Sequence, residues 1–175
     1  DYLHRAIREL STSDRALGTD VEPCAVDINL NVTALLPEDY LPDVHERLVF
    51  YKRLANTTCQ EEIKELQLEA IDRFGLLPEA SRTLFRVTQI KLAAGLIGIE
   101  KLHLGQHGGE IRLSEQASVD PAFLLQMIHD TPKDYRIRPD NVIHLTTPLE
   151  VSELRLDRAE AIVAALSGKT SASFS

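Results

Sequence analysis

Four things are scarce in this 175-residue sequence. It has no run of 18 uninterrupted apolar residues, so no transmembrane helix is expected. It has no surplus of base: 19 Lys and Arg stand against 27 Asp and Glu, a net charge of −8. Such a chain is a poor general binder of nucleic acid, which usually requires a basic patch. Cysteine is limited to Cys24 and Cys59, without C-x-x-C spacing. Two are too few for a disulfide framework and suit a reducing compartment. The chain opens at Asp1 without an initiator, its single methionine is Met127, and no charged-then-apolar leader is visible. The expectation is a processed product or an excised piece.

What remains is ordinary for a globular domain: 43% hydrophobic and 26% charged residues. A single domain of this length can bury roughly 70% of its unfolded surface. Tyr2 to Leu10 has helical spacing and starts abruptly, and residues 11–24 read as a loop. Val26 to Val32 alternates apolar and polar without a miss, the period of a half-buried strand. After the proline-bracketed connector Leu36 to Pro42, a helix is expected from about Asp43 to Ala55, with Val44, Leu48, Tyr51 and Leu54 as its stripe. A second is expected from Gln60 to Phe74, with Ile63, Leu66, Ala70 and Phe74 inward and Gly75 just past its end. Pro78 opens a third, running to about Ile97 and apolar around much of its circumference.

The period then changes. Ile99 to Leu104 and Glu110 to Leu113 are strand candidates joined by the glycine-rich loop Gly105 to Gly109. Asp120-Pro121 caps a short helix to about His129. Tyr135 to Arg138 and Val142 to Thr146 are two more strands. Thr147-Pro148-Leu149-Glu150 has the form of a capping box, which would start the last helix there and carry it to about Leu166. Ser167 to Ser175 is expected to be a flexible tail. The pattern is α+β: a helix-rich N-terminal half with a small, mostly antiparallel sheet, strand pairs alternating with helices. One domain over 1–175 is the simplest count.

Motifs for chemistry are few. Ser167-Gly168-Lys169-Thr170 ends like a phosphate-binding loop, but the position that needs its first glycine is Val163. His103 and His107 straddle a strand end and a hairpin, without the helical register of paired metal ligands. No nucleophile elbow is present. The expectation is no catalytic residue, no metal site and no cofactor in this chain.

One surface feature stands out. Glu62, Glu65, Glu69 and Asp72 are spaced 3, 4 and 3 on the second helix. At 3.6 residues per turn they fall within roughly 80° of one another, roughly 125° from the apolar stripe. Arg73 can pair with Glu69, while Lys64 faces away. Like charges at these spacings oppose the helix by a few tenths of a kcal/mol per pair. A solvated helix face explains such a stripe; so does a docking face for a basic partner.

Two stretches are less anonymous. Leu36-Pro37-Glu38-Asp39-Tyr40-Leu41-Pro42-Asp43, followed by Arg47-Leu48 and Tyr51-Lys52-Arg53, is the first. Glu65-Leu66, then Glu69 with Ile71-Asp72-Arg73-Phe74-Gly75-Leu76-Leu77-Pro78, is the second. Together they resemble the C-terminal domain of bacterial transcription-repair coupling factors, the Mfd or TRCF family. The likeness extends from Tyr2 to about Leu166 and takes in Gly108-Gly109 and Tyr135-Arg136-Ile137.

The resemblance implies a cytoplasmic, multidomain parent: a DNA translocase using ATP and magnesium, which acts on stalled RNA polymerase and recruits UvrA for nucleotide excision repair. Residues 1–10 would then be the end of a helix from the preceding motor domain. It implies a non-catalytic, monomeric regulatory domain here, which docks on an N-terminal UvrB-like module and masks UvrA binding. Glu69 and Asp72 would face basic side chains of that module, with Glu65 and Glu62 extending the face. Pairs of this kind at a wet rim contribute about 1 kcal/mol each, so several together favour a closed state reversibly. An alternative is a nucleic-acid or RNA polymerase contact module, for which Arg82, Arg86 and Lys91 on the third helix are the candidates. No membrane partner is implied.

Overall fold

The structure is a computed structural model and describes residues 26–115, 117 and 119–167. The expected helix at residues 2–10, Cys24, and most of the tail lie outside the described residues. Among the described residues there are five helices and one five-stranded mixed sheet, an α+β fold as the sequence pattern implies. The described residues separate into two compact units, one formed by residues 33–89, the other by 26–32 and 90–167.

The first unit is helical. Helix α1 spans Val44–Ala55, and the carboxylate of Asp43 accepts the Glu46 amide at 2.9 Å as its N-cap. Helix α2 spans Gln60–Phe74 and ends at Gly75, whose φ of +94° is open to glycine at little cost. Helix α3, Glu79–Ile97, gives the first unit its residues to Gln89. Leu36, Leu41, Phe50, Leu54, Ile63, Leu66, Ala70 and Phe85 are buried here. Each large side chain contributes about 1.5–3 kcal/mol by leaving water. Phe74 meets Tyr40 and Phe50 edge-on, with ring centroids 5.9 and 6.2 Å apart. The Tyr40 hydroxyl lies 2.9 Å from the Ala70 carbonyl and 2.8 Å from that of Gly75, and shares its proton between acceptors at the open end of α2.

The second unit holds the sheet. Strand β1 (Asp27–Asn29) pairs parallel to β2 (Ile99–Gly105); β3 (Gly108–Leu113), β5 (Val142–Leu145) and β4 (Tyr135–Arg138) extend the sheet antiparallel, in the order β1-β2-β3-β5-β4. Strand β1 is shorter than the alternation predicts. Asn31 takes a positive φ of 51° and its amide bonds back to Asn29 Oδ1, which ends the strand. The β2–β3 loop contracts to Gln106-His107, because Gly105, Gly108 and Gly109 are already paired. A β-carbon on Gly108 would strike the Leu145 carbonyl, and one on Gly109 the His103 carbonyl. Helix α4, Pro121–Asp130, is capped by Asp120 as expected, at 2.9 Å to the Ala122 amide.

Helix α5 spans Ser152–Leu166 and buries Leu156, Ala159, Ile162, Val163 and Leu166. Its start departs from the capping-box expectation, and Arg155 supplies the reason. This arginine is 5% exposed. Its guanidinium donates to the carbonyls of Leu30 (2.8 Å), Asn31 (3.0 Å), Leu149 (2.6 Å) and Glu150 (3.2 Å), and to Ser152 Oγ (3.2 Å). Five donors therefore meet five acceptors. The Leu149 amide also bonds to Gln106 O, and Thr147 Oγ1 donates to Asp134 Oδ1 at 2.6 Å. Residues 147–150 are thus occupied elsewhere, and helix winding waits until Ser152.

Candidate functional site

The acidic face lies on α2, in the first unit. All four predicted residues are on one side of the helix, but they are not chemically equivalent. Glu62 reaches back to the Thr58 amide at 2.7 Å, so it satisfies a free donor at the helix start. Glu69 is clasped by Arg53 of α1 in a two-pronged pair at 2.8 and 2.7 Å, and Arg73 stands at 3.4 Å on its other side. Arg73 also bonds Glu46 of α1 at 2.7 Å. The chain Glu46–Arg73–Glu69–Arg53 therefore ties α1 to α2. The Arg53 hydrogen bond, followed in weight by its charge and by Arg73, outweighs desolvation and holds the Glu69 carboxyl below its usual range.

Glu65 and Asp72 differ from both. They are exposed, and among the described residues neither has an ion-pair partner. Leu68 lies one turn along from each, about 40° beyond Asp72 at the edge of the acidic arc, at 66% exposure, and Leu76 just beyond the helix is 89% exposed. An acidic stripe edged by an exposed apolar side chain can seat a basic surface that carries an apolar pocket.

The alternative set does not converge. Along a continuous helix Arg82 and Lys91 lie about 180° apart, so they cannot form one patch with Arg86. Among the described residues, no three His, Cys, Asp or Glu side chains come together as metal ligands, and no helix is long and apolar enough to cross a membrane. The phosphate-loop-like residues Gly168 to Thr170 lie outside the described residues. Cys59 is half-buried at the start of α2.

Comparison with known proteins gives this geometry a context. The family model for the TRCF domain matches residues 30–124, more than half of the chain and all of α1, α2 and α3. The chain belongs to the TRCF domain family. The transcription-repair-coupling factor of Escherichia coli K12 is 36% identical over 137 residues, which cover 78% of this chain and 12% of that protein. That of Haemophilus influenzae is 35% identical over 157 residues, covering 90% and 14%. This TRCF domain therefore spans about an eighth of the length of these curated relatives. A crystal structure of the C-terminal domain of a transcription-repair coupling factor shares the fold, with a TM-score of 0.61 at 19% identity, over 79% of this chain and 92% of that one.

The residues of the two stretches that resemble the family thus sort by what they touch. Tyr40, Arg53, Glu69, Arg73 and Phe74 act within the helical unit. Two residues escaped the sequence reading. Arg53 was legible only as part of a motif, because its partner is 16 residues away on another helix. Arg155 did carry a signal: with Ala159, Ile162 and Leu166 it occupies i, i+4, i+7 and i+11, the middle of the apolar stripe.

Proposed function

We propose that this chain is a non-catalytic docking domain of a transcription-repair coupling factor. Its α2 face binds a basic surface of the parent protein's UvrB-like N-terminal module and so masks the binding of UvrA until the parent engages RNA polymerase. The parent is read as an ATP- and magnesium-dependent DNA translocase. The observation that carries this reading is the pair Glu65 and Asp72: exposed carboxylates beside the exposed Leu68, without a basic partner among the described residues.

The test is binding of this chain to the UvrB-like module supplied in trans, read by calorimetry at low salt. Tethering raises the effective concentration of the native contact, so the trans affinity is expected to be weak. The double variant Glu65→Arg with Asp72→Arg should weaken binding by about tenfold or more, since two rim pairs of about 1 kcal/mol are reversed. Unchanged binding by that variant refutes the proposed face. Glu69 is a poorer probe, because its substitution also frees Arg53.

A further inference from the structure

The sheet of the second unit presents an ordered polar surface that the docking reading does not use. Strand pairing places Asn29, His103, Glu110, His144 and Arg136 in one row across all five strands. It places Asp27, Lys101, Arg112, Val142 and Arg138 in the adjacent row. Side chains alternate between sheet faces, so both rows share the side opposite Leu102, Ile111 and Ile143, which are buried. A register shift between Ile99 and Lys101 lets Ile99 stay in the core while Lys101 joins the polar face.

The charges on this face are unevenly matched. Glu110 is paired with Lys101, and Asp27 Oδ2 lies 3.0 Å from His103 Nε2. Arg112, Arg136 and Arg138 are exposed, and among the described residues none lies within ion-pair distance of an acid. On a chain of net charge −8, three exposed arginines therefore stand on one face of one sheet: Arg136 and Arg138, and Arg112, whose charge also acts on Glu110. Neighbouring strands are about 4.8 Å apart and alternate residues about 7 Å apart. The three guanidinium groups can therefore engage one extended anionic ligand together.

The rest of the face narrows the ligand. A protein interface is usually anchored by an apolar or aromatic core from which charge is depleted. Here the centre is Glu110 and Arg112, and the one aliphatic residue in the rows, Val142, is buried. Neither row holds Phe, Tyr or Trp, and its two imidazoles, His103 and His144, are only partly exposed, so single-stranded bases find a poor stacking platform. Duplex backbones, in contrast, are held by charge and hydrogen-bond donors alone. We infer that the open sheet face bearing Arg112, Arg136 and Arg138 is a contact for the phosphate backbone of duplex nucleic acid, without sequence preference. The contact is independent of the acidic α2 face and stands whether or not that face docks.

The test is fluorescence anisotropy of a labelled duplex of about 20 base pairs with the full 175-residue chain, starting near 20 mM salt. Three phosphate contacts predict a slope of about −2.7 for log K against log salt, a loss of about 80-fold for a fivefold rise in salt. The triple variant Arg112→Gln, Arg136→Gln, Arg138→Gln should abolish binding, with its far-UV circular dichroism unchanged. Should the triple variant misfold, the single variants Arg136→Gln and Arg138→Gln on the edge strand should each reduce the slope by about 0.9. Glu65→Gln with Asp72→Asn removes the charges of the other face without adding a base and should leave the three-arginine slope in place. No binding near 20 mM salt overturns the inference, as does binding that survives the triple substitution. Tighter binding to polyglutamate than to the duplex overturns the ligand assignment, and so does a preference for the single strand.

Discussion

Replacing Arg155 tests the least conventional feature of the second unit: a buried guanidinium answered only by neutral oxygens. In Arg155→Met the volume is nearly kept, but five hydrogen bonds disappear. Two of the acceptors, the carbonyls of Leu30 and Leu149, belong to residues 3% exposed. Leaving a buried carbonyl without a partner costs about 1–3 kcal/mol, so these two predict about 2–6 kcal/mol. Removing a buried charge works in the opposite direction, because its desolvation penalty is lifted. The net expectation is a loss of about 3 kcal/mol, or about 6–12 °C in melting temperature for a chain of this size. Arg155→Lys should recover less than half of it, since an ammonium has three donors at one point and cannot reach carbonyls spread around the edge of the guanidinium plane. The sequence has no tryptophan, so unfolding is best followed by far-UV circular dichroism. Hydrogen exchange by mass spectrometry adds location: protection should fall around residues 27–31 and 147–152, and not in α1 or α2. A melting temperature within about 2 °C of the parent for Arg155→Met would refute the reasoning.

Two further expectations concern the elements that carry the family signature. Gly108→Ala and Gly109→Ala should each destabilise by well over 1 kcal/mol, because their β-carbons meet backbone carbonyls and Gly108 also sits at a φ of +118°. Gly105→Ala, whose nearest neighbour would be Asn31 Nδ2 at 3.5 Å, should be tolerated, and thermal melts of the three variants decide the point. The Arg53–Glu69 pair is 45% and 33% exposed, so solvent screening limits its coupling to about 0.5–1 kcal/mol in a double-mutant cycle, less at high salt. Its pH dependence has a definite sign. The folded Glu69 carboxyl titrates below its unfolded value, so the contribution is complete above the ordinary carboxylate range and disappears as pH falls through the depressed folded value. Urea unfolding of wild type and Glu69→Gln from pH 7 down to about pH 3 should converge at the acid end.

Local pattern predicts local structure well in this chain. The period of α2 and its limits at Gln60 and Phe74 follow from stripe and cap residues, and the glycine at Gly75 meets a φ that few other residues adopt. Thr147 to Glu150 shows where such reasoning ends. The capping-box pattern is present, but Arg155, Gln106 and Asp134 compete for the same groups, and three partners from elsewhere in the fold prevail over a helix start. The acidic stripe behaves similarly. Helical spacing shows that Glu62, Glu65, Glu69 and Asp72 share a side, but only the packing of α1 beside α2 shows that Arg53 clasps Glu69. The sheet rows were hidden for another reason. Alternation assigns residues to faces strand by strand, but it takes strand order and register to bring Arg112 of β3 beside Arg138 of β4, with only β5 between.

That sorting bears on how the TRCF signature should be probed. A residue can build a surface or be the surface, and substitution confuses the two whenever one residue does both. Glu69 and Arg73 are at risk of this confusion: each bridges helices and each lies near the candidate docking face. A charge reversal at Glu69 would leave Arg53 and Arg73 without their shared acid, so lost docking could reflect a shifted α1. Asp72 and Glu65 make no such bridge among the described residues. If the double reversal at Glu65 and Asp72 weakens docking while Glu69→Gln weakens only stability, recognition and scaffold have been separated on one helix. If Glu69→Gln alone abolishes docking at unchanged stability, recognition runs through Glu69 itself, and the division of labour along α2 drawn from the Arg53 clasp is wrong.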